Sequence, residues 1–369
     1  MGEILGLGMS HALGMRNPAP RSGIYRYLER PDIPASAKDP KSWPEGMKRE
    51  LGDDEGKTHN IEHRAAVGAQ DRKLRERLDA FNPDFVLIFA DDQYENFKED
   101  IIPAFCIQAF DDLDVKPFRV YGDRLNPEAA AAAAAQPGTP DNTWGWPVDK
   151  TLTIRGHRAG GKFLAAGLID EKVDIAYAYE PLHYGTFAHG FLQTMLLLDF
   201  DGNKGWPYPT VTFQVNCYGA RVLINRGGHY PVGSINMPQE ELDPDGPTPE
   251  RCMEVGAAVA RVLTRSPWRV AVIMSSSWSH AFLVPKHYFL YPDVENDHMM
   301  YDAFVKGDYN YWRRVTNDEV LANGWQELRN WWVGLGVMRE RGHKAPSYSQ
   351  FVESYTHNSD KIFAFWDPR

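Results

Sequence analysis

The chain has 369 residues, of which 43% are hydrophobic and 24% are charged, as in ordinary globular proteins. Its formal net charge of −10 argues against partners that need a basic face, so we expect neither nucleic acid nor an anionic membrane surface to bind. The three widely spaced cysteines exclude a disulfide framework and a Cys-rich metal knuckle. Any metal must therefore be held by His, Asp, Glu or amide ligands, which favours a divalent ion such as iron, manganese or zinc.

The N-terminal segment does not look like a signal peptide, because no Lys or Arg precedes its apolar residues and it has no long apolar core. No part of the chain approaches the roughly 20 consecutive apolar residues of a membrane helix. We therefore expect a cytoplasmic protein whose ligand is a small molecule.

Short apolar runs that end in polar or glycine-rich residues predict buried strands, with helical patterns between several of them. The charged segment 58–80 predicts a helix that ends at Asn82-Pro83, just before a strand. This alternation predicts an α/β fold, with one domain over residues 1–369 built on a central mixed sheet flanked by helices and long loops. The predicted strands are 4–7, 85–89, 173–177, 211–215 and 270–274.

Two further segments are assigned from composition and position. Residues 127–142 contain an alanine run stopped by Pro and Gly, which predicts a surface excursion from the domain. Residues 343–369 form a C-terminal tail that we expect to pack on the domain.

Polar clusters follow four of the predicted strands directly or closely. In open α/β sheets, ligands bind where loops leave the carboxyl ends of strands. A histidine after a strand is more often a loop residue with a satisfied hydrogen bond, and adjacent aspartates are more often a turn or helix cap. Two histidines in matching Ser-His contexts nevertheless favour a shared site. The clusters are Ser10-His11, Asp91-Asp92-Gln93, the segment 183–190 with His189, and Ser279-His280.

A C-terminal glutamate is a further candidate. The segment 321–332 predicts one helix, and Glu327 lies on the flank of its apolar face. A flank glutamate is usually solvated, but it would supply a carboxylate if this face packs against the strand ends. The apolar face consists of Leu321, Trp325, Leu328 and Trp332.

A competing motif lies on the first long helix. His59-Asn60-Ile61-Glu62-His63 matches the H-x-x-E-H pattern, in which two histidines one turn apart bind zinc and the glutamate activates water. Such short patterns also arise by chance in a chain with 12 histidines. A zinc metallohydrolase is therefore the alternative enzyme class.

The order of the motifs points to a known family. They are Gly-Met-Ser-His11 after a strand, FVLIFADDQYENF before IIPAF, then Ala-His189-Gly, Phe-Gln-Val-Asn216, Trp-Ser-His280 and Gln-Glu327-Leu. This set, which covers roughly residues 3–335, resembles the class III extradiol ring-cleaving dioxygenases. That family includes the catalytic subunits of protocatechuate 4,5-dioxygenase and the gallate and methylgallate dioxygenases.

The resemblance implies a non-haem Fe(II) bound by His11 and Glu327, with His280 as acid/base and His189 as a second catalytic histidine near the substrate. The implied reaction is extradiol cleavage of a catechol or trihydroxybenzoate-type ring by O2, with both oxygen atoms incorporated. A homo-oligomer is implied, with a small partner subunit in some relatives. The expected substrate-binding residues are Asp92, Gln93, Tyr94 and Ser279.

The chain departs from the family pattern at Gln93, where many members have their second histidine ligand. Glutamine is neutral and a weaker donor than imidazole, so this change predicts weaker iron binding. Either the amide oxygen of Gln93 is the third ligand, or His59 takes its place, with His63 as a further alternative. The change also leaves open a family member that binds a ligand without catalysis.

Overall fold

The computed structural model describes residues 2–12, 15, 24–117, 142–147, 149–183, 185–220, 226–227, 232–233 and 237–369. The surface excursion predicted at 127–142 lies outside these residues, except for Asn142. Over the described ranges, no helix is both long enough and apolar enough to cross a membrane.

Within the described residues, eight strands form one mixed sheet, and two others form a separate antiparallel pair. The strands are β1 (Glu3–Met9), β2 (Phe85–Asp91), β3 (Phe105–Gln108), β4 (Leu113–Val115), β5 (Leu152–Ile154), β6 (Ala176–Ala178), β7 (Thr210–Val215), β8 (Arg269–Ser275), β9 (Tyr348–Val352) and β10 (Lys361–Trp366). The sheet order is β6-β3-β7-β2-β8-β1-β10-β9. Its four central strands β7, β2, β8 and β1 are parallel, whereas β3 and β10 pair antiparallel to their inner neighbours. This confirms the predicted α/β class with a central mixed sheet.

Helices cover both faces of the sheet, which explains why its central strands are continuous apolar runs. Alternate residues of β2 lie in two separate hydrophobic clusters, with Leu87 and Phe89 in one and Val86 and Ile88 in the other. The helices are α1 (Ile24–Leu28), α2 (Ala35–Lys38), α3 (Glu45–Leu51), α4 (Lys57–Phe81), α5 (Arg158–Asp170), α6 (His189–Leu197), α7 (Pro249–Thr264), α8 (Val294–Lys306), α9 (Tyr309–Arg313), α10 (Asn317–Asn323) and α11 (Arg329–Glu340). Helices α7 and α11 contribute to the first cluster, and α4 and α6 contribute to the second.

The chain between 317 and 340 differs from the single helix predicted for 321–332. Helix α10 ends at Gly324, whose φ of +72° is a left-handed cap that glycine adopts without strain. A short 3₁₀ turn, Gln326–Leu328, then leads into α11. Glu327 therefore lies in a buried turn, 2% exposed, rather than on the flank of a helix.

The two ends of the sheet also differ in detail from the expected segments. The strand predicted at 173–177 begins later, because the chain turns after α5 and β6 starts only at Ala176. In the C-terminal segment, β10 pairs with β1 and β9 pairs with β10. Strand β10 thus lies beside β1, the strand that leads to His11.

Close packing at Gly8 offers a test of how β1 is held against α11. A Cβ atom at Gly8 would lie 2.4 Å from the Cη2 atom of Trp331, a fully buried side chain. We expect Gly8→Ala to lower the free energy of unfolding by about 1–3 kcal/mol in urea denaturation, because the indole has to move. The matched control is Gly233→Ala, since nothing lies within 4 Å of a Cβ there. Equal stability of the two variants would contradict this packing argument.

Candidate metal centre

Four buried side chains meet at the carboxyl ends of the parallel strands. His11 follows β1, Asp91 is the last residue of β2, His189 begins α6 and Glu327 lies in the turn before α11. One ligand atom from each lies within 4.8 Å of the other three. The parallel arrangement brings the ends of β1 and β2 to the same edge of the sheet, with only β8 between them. We call these four residues the metal centre.

Three of the atoms that meet there have no hydrogen-bond partner among the described residues. They are His11 Nε2, Asp91 Oδ2 and Glu327 Oε2. His11 Nε2 lies 3.4 Å from Glu327 Oε2 and 3.5 Å from Asp91 Oδ1, and His189 Nε2 lies 3.7 Å from Asp91 Oδ2. An unbonded buried polar group costs about 1–3 kcal/mol, and one divalent cation would satisfy all of these atoms together. The donor set therefore fits a metal ion.

The outer nitrogen of each histidine is held by a hydrogen bond. His11 Nδ1 lies 3.1 Å from the carbonyl oxygen of Ser275, to which it donates. His189 Nδ1 lies 3.1 Å from both carboxylate oxygens of Glu95. These partners place the proton on Nδ1 in both rings and leave the lone pair of Nε2 for the centre, the arrangement usual in metal-binding histidines.

The two carboxylates of the centre are also oriented by neighbours. Asn330 Nδ2 lies 3.4 Å from Asp91 Oδ1, and the hydroxyl of Tyr218 donates to Glu327 Oε1. Each contact engages one oxygen and leaves the other, Asp91 Oδ2 or Glu327 Oε2, without a hydrogen bond. Among the described residues, each carboxylate thus keeps one buried oxygen that no hydrogen bond satisfies.

Burial shifts the pKa values of the centre toward neutral side chains. Burial, with smaller contributions from His189 and His280, lowers the pKa of His11 well below its usual value. Burial raises the pKa of Glu327 well above its usual value, and the nearby Asp91 carboxylate raises it further. Carboxylates so close together in a buried site retain their charges only beside a cation, so bound metal would restore both.

His280 reaches the same centre from the segment after β8. Its Nε2 lies 3.2 Å from Glu327 Oε2, and its Nδ1 lies 3.0 Å from the carbonyl oxygen of Trp278. Burial lowers the pKa of His280 to about 3, so the ring is neutral at pH 7. With Nδ1 donating to Trp278, Nε2 is the nitrogen that can accept a proton at the centre.

Two of the residues predicted to bind substrate are engaged in holding the backbone. Asp92 accepts hydrogen bonds from the backbone N–H groups of residues 95–97, so it caps the turn after β2. Burial, followed by repulsion from Glu95, raises the pKa of Asp92 to about 7. Ser279 donates through Oγ to Asp297 Oδ2 at 2.6 Å and thereby fixes the segment that carries His280. Their contact with substrate remains a prediction.

The other two predicted substrate contacts lie in the same turn. Gln93 donates from Nε2 to the carbonyl oxygen of Gly227 at 2.6 Å, which holds its side-chain amide in place. The hydroxyl of Tyr94 donates to Glu99 near the surface. Ligation by the amide oxygen of Gln93 remains a prediction.

The structure does not bring His59 to the metal centre. Its ring lies beside those of His63 and His357, at centroid distances of 5.7 and 5.4 Å, and its Nε2 lies 3.2 Å from Glu50 Oε2. The reason is that α4 packs along the β9–β10 side of the sheet, which carries its histidines to the C-terminal segment. Asp91 and His189 occupy the centre alongside His11 and Glu327 instead.

The H-x-x-E-H motif is also not assembled as a zinc site. Glu62 is exposed, while His63 is buried and stacks on His357 with a centroid distance of 4.4 Å. Among the described residues, only the metal centre brings ligand atoms of three or more His, Cys, Asp or Glu residues within 4.8 Å of one another. This arrangement gives the zinc metallohydrolase alternative no support.

Three residues at the site were not expected from the sequence: Asp91 as a member of the metal centre, Glu95 as the hydrogen-bond partner of His189, and Tyr218 as that of Glu327. A signal for Asp91 was available, because it is the last residue of a buried strand at the ligand-binding edge of the sheet. Tyr218 lies three residues beyond β7, just after the Phe-Gln-Val-Asn216 motif, and only the tertiary structure places it beside Glu327.

The fold and the centre define a mixed-sheet α/β protein with a buried site of two histidines and two carboxylates at its strand ends. No protein-family model matches the chain. The chain is similar to proteins named 2,3-dihydroxyphenylpropionate/2,3-dihydroxicinnamic acid 1,2-dioxygenase. The protein from Photorhabdus laumondii is 25% identical over 225 residues, which are 61% of this chain and 51% of the relative.

Two further relatives carry the same name. The protein from Paraburkholderia xenovorans is 27% identical over 222 residues, covering 60% of this chain and 51% of its own. The protein from Burkholderia vietnamiensis is 49% identical over 45 residues, covering 12% and 14%. The chain thus spans about half the length of the first relative. The similarity supports the extradiol dioxygenase resemblance in general, not the protocatechuate and gallate enzymes in particular.

Proposed function

We propose that this protein binds Fe(II) at the metal centre and uses O2 to cleave the ring of a catechol-type substrate. The bond cleaved is the one next to the two hydroxylated carbons, which is extradiol cleavage. The observation that carries the proposal is the convergence of three unpartnered buried atoms, on His11, Asp91 and Glu327, with His189 Nε2 beside them. The name of the relatives supports it, because a 1,2 bond lies beside the hydroxyl pair of a 2,3-dihydroxyphenyl ring.

The chemistry of the donors favours iron among the divalent metals. Imidazole and carboxylate together suit Fe(II), Mn(II) and Zn(II), and histidine–carboxylate sites with open positions are typical of non-haem iron oxygenases. When bound, Fe(II) would supply the redox chemistry of ring opening. We propose His11, His189, Asp91 and Glu327 as the residues that hold it.

His280 is proposed as the acid/base. Its neutral Nε2 faces the centre, where it can accept the hydroxyl proton of a bound catechol and return a proton later in the reaction. The carbonyl of Trp278 fixes the tautomer, so no ring flip is needed before proton transfer. Tyr218 contributes by holding Glu327 through one oxygen, which keeps the other directed at the metal.

Oxygen uptake by the reconstituted protein tests this function. We expect protein loaded with Fe(II) under anaerobic conditions to consume one O2 per catechol and to form a coloured ring-opened product. The panel is 2,3-dihydroxyphenylpropionate, protocatechuate and gallate, which separates the substrate of the relatives from trihydroxybenzoate-type compounds. A chelator or substitution by Zn(II) should abolish uptake. No uptake with any catechol by fully iron-loaded protein would contradict the proposal.

A further inference from the structure

The segment after β2 places a second carboxylate, Glu95, directly behind His189. Glu95 is 1% exposed, and its Oε1 lies 3.0 Å from the backbone nitrogen of His189 at the start of α6. The same carboxylate lies 3.1 Å from the ring nitrogen Nδ1 through both oxygens. Its Oε2 also accepts from the backbone N–H of Gln93 at 3.1 Å. One side chain thus ties the turn after β2 to both the backbone and the ring of His189.

This double attachment fixes the direction of the imidazole. With Nδ1–H donating to Glu95, the lone pair of Nε2 lies on the opposite side of the ring, 3.7 Å from Asp91 Oδ2. The rings of His11 and His189 meet edge to face, with centroids 5.4 Å apart at an angle of 87°. Both imidazoles therefore present Nε2 to the same centre.

Gly190 allows the first turn of α6 to come this close. A Cβ atom at position 190 would lie 3.1 Å from Ala90 Cβ and 3.2 Å from both Asp91 Oδ1 and His11 Cε1. At such distances the neighbouring atoms would have to shift by a few tenths of an ångström. The absence of a side chain at Gly190 thus permits the close approach of α6 to the end of β2 at which Glu95 holds His189.

We propose that Glu95 is a positioning residue that makes His189 the second imidazole ligand of the metal, in place of the histidine that Gln93 replaces. This inference rests on the proposed metal site. A carboxylate behind a ligating histidine fixes its tautomer and raises its basicity, and loss of such a partner typically weakens metal affinity 10–100-fold. Glu95 acts through His189 and does not itself face the centre.

Cobalt binding to the metal-free protein tests this role without any measurement of ring cleavage. We expect Glu95→Gln to weaken Co(II) affinity by about 10–100-fold, measured by competition with a chelator, and to alter the visible d–d spectrum of the bound ion. Glu95→Asp keeps the charge but shortens the reach, and should fall between wild type and Glu95→Gln. The matched control is Glu99→Gln, the same change at an exposed residue of the same segment, which should leave the affinity unchanged.

A double-mutant cycle separates positioning from a structural effect. In a His189→Ala background, Glu95→Gln should weaken Co(II) binding no further, because the ring that it orients is gone. If the two substitutions weaken binding additively, or if Glu95→Gln binds Co(II) like wild type, the inference is overturned. If Glu95→Gln does not fold, the same Co(II) affinity cycle with His189→Ala is measured with Glu95→Asp. Failure of the proposed function would appear separately, as absent O2 uptake by wild-type protein that binds metal.

Discussion

Glu327→Gln is expected to lower Fe(II) affinity by more than about 100-fold and to abolish O2 uptake. Loss of a ligand should weaken metal binding more than loss of a residue that only orients a ligand, which typically costs about 10–100-fold. The substitution keeps the size of the side chain but removes the charge from the atom that lies 3.4 Å from His11 Nε2. Iron content after desalting and O2 consumption with a catechol are the measurements. Glu254→Gln makes the same change on the exposed side of α7 and should retain both.

The outcome also distinguishes a catalyst from a protein that only binds a ligand. A binding protein without catalysis would keep its function when Glu327 is changed. Retention of iron by Glu327→Gln at the wild-type level would instead remove Glu327 from the ligand set. Circular dichroism should show that the variant is folded, because replacing a buried carboxylate by an uncharged amide of similar size leaves the packing of the turn intact.

His280→Ala is expected to lower kcat/KM for ring cleavage by about 10²–10⁴-fold while Fe(II) remains bound, because it removes the acid/base but none of the proposed ligands. The neutral Nε2 of His280 lies beside Glu327 at 3.2 Å, within reach of a substrate bound at the centre. Iron content and steady-state kinetics of the same preparation are the two measurements. His298→Ala, at an exposed histidine paired with Glu353, serves as the control.

The result separates three roles for His280. Loss of activity with iron retained supports the acid/base role. Loss of iron together with activity would make His280 a ligand, and unchanged activity would assign the proton transfer to another group. Each variant is incubated with Fe(II) before the comparison, because protein without iron is inactive whatever the role of His280.

The edge of the sheet where the centre lies was predictable from local sequence alone. Apolar runs of strand length mark β1, β2 and β8, and the polar residues that follow them come to the same edge because the strands are parallel. The matching Ser-His contexts of His11 and His280 pointed to this edge, and the order of the motifs added Glu327.

The assignment of neighbouring aspartates was not predictable in this way. Asp91 ends the strand and has one oxygen at the centre, whereas Asp92 turns back to cap the backbone of residues 95–97. Contact of Asp92 with a substrate remains a prediction. Consecutive residues in extended backbone point to opposite sides, and only the path of the following turn decides which one faces the site.

Local sequence patterns are sufficient to predict the α/β class, the buried central strands and the strand end that carries His11, since each depends on hydrophobic periodicity over a few residues. Only the tertiary structure shows which side chains lie around His11. Glu95 and His189 are 94 residues apart, and Tyr218 and Glu327 are 109 apart, yet each pair is joined by a hydrogen bond. His59, in the helix before the strand that leads to Gln93, is instead carried by α4 to His357. Contacts of this kind depend on how helices pack on the sheet, and no local pattern encodes that packing.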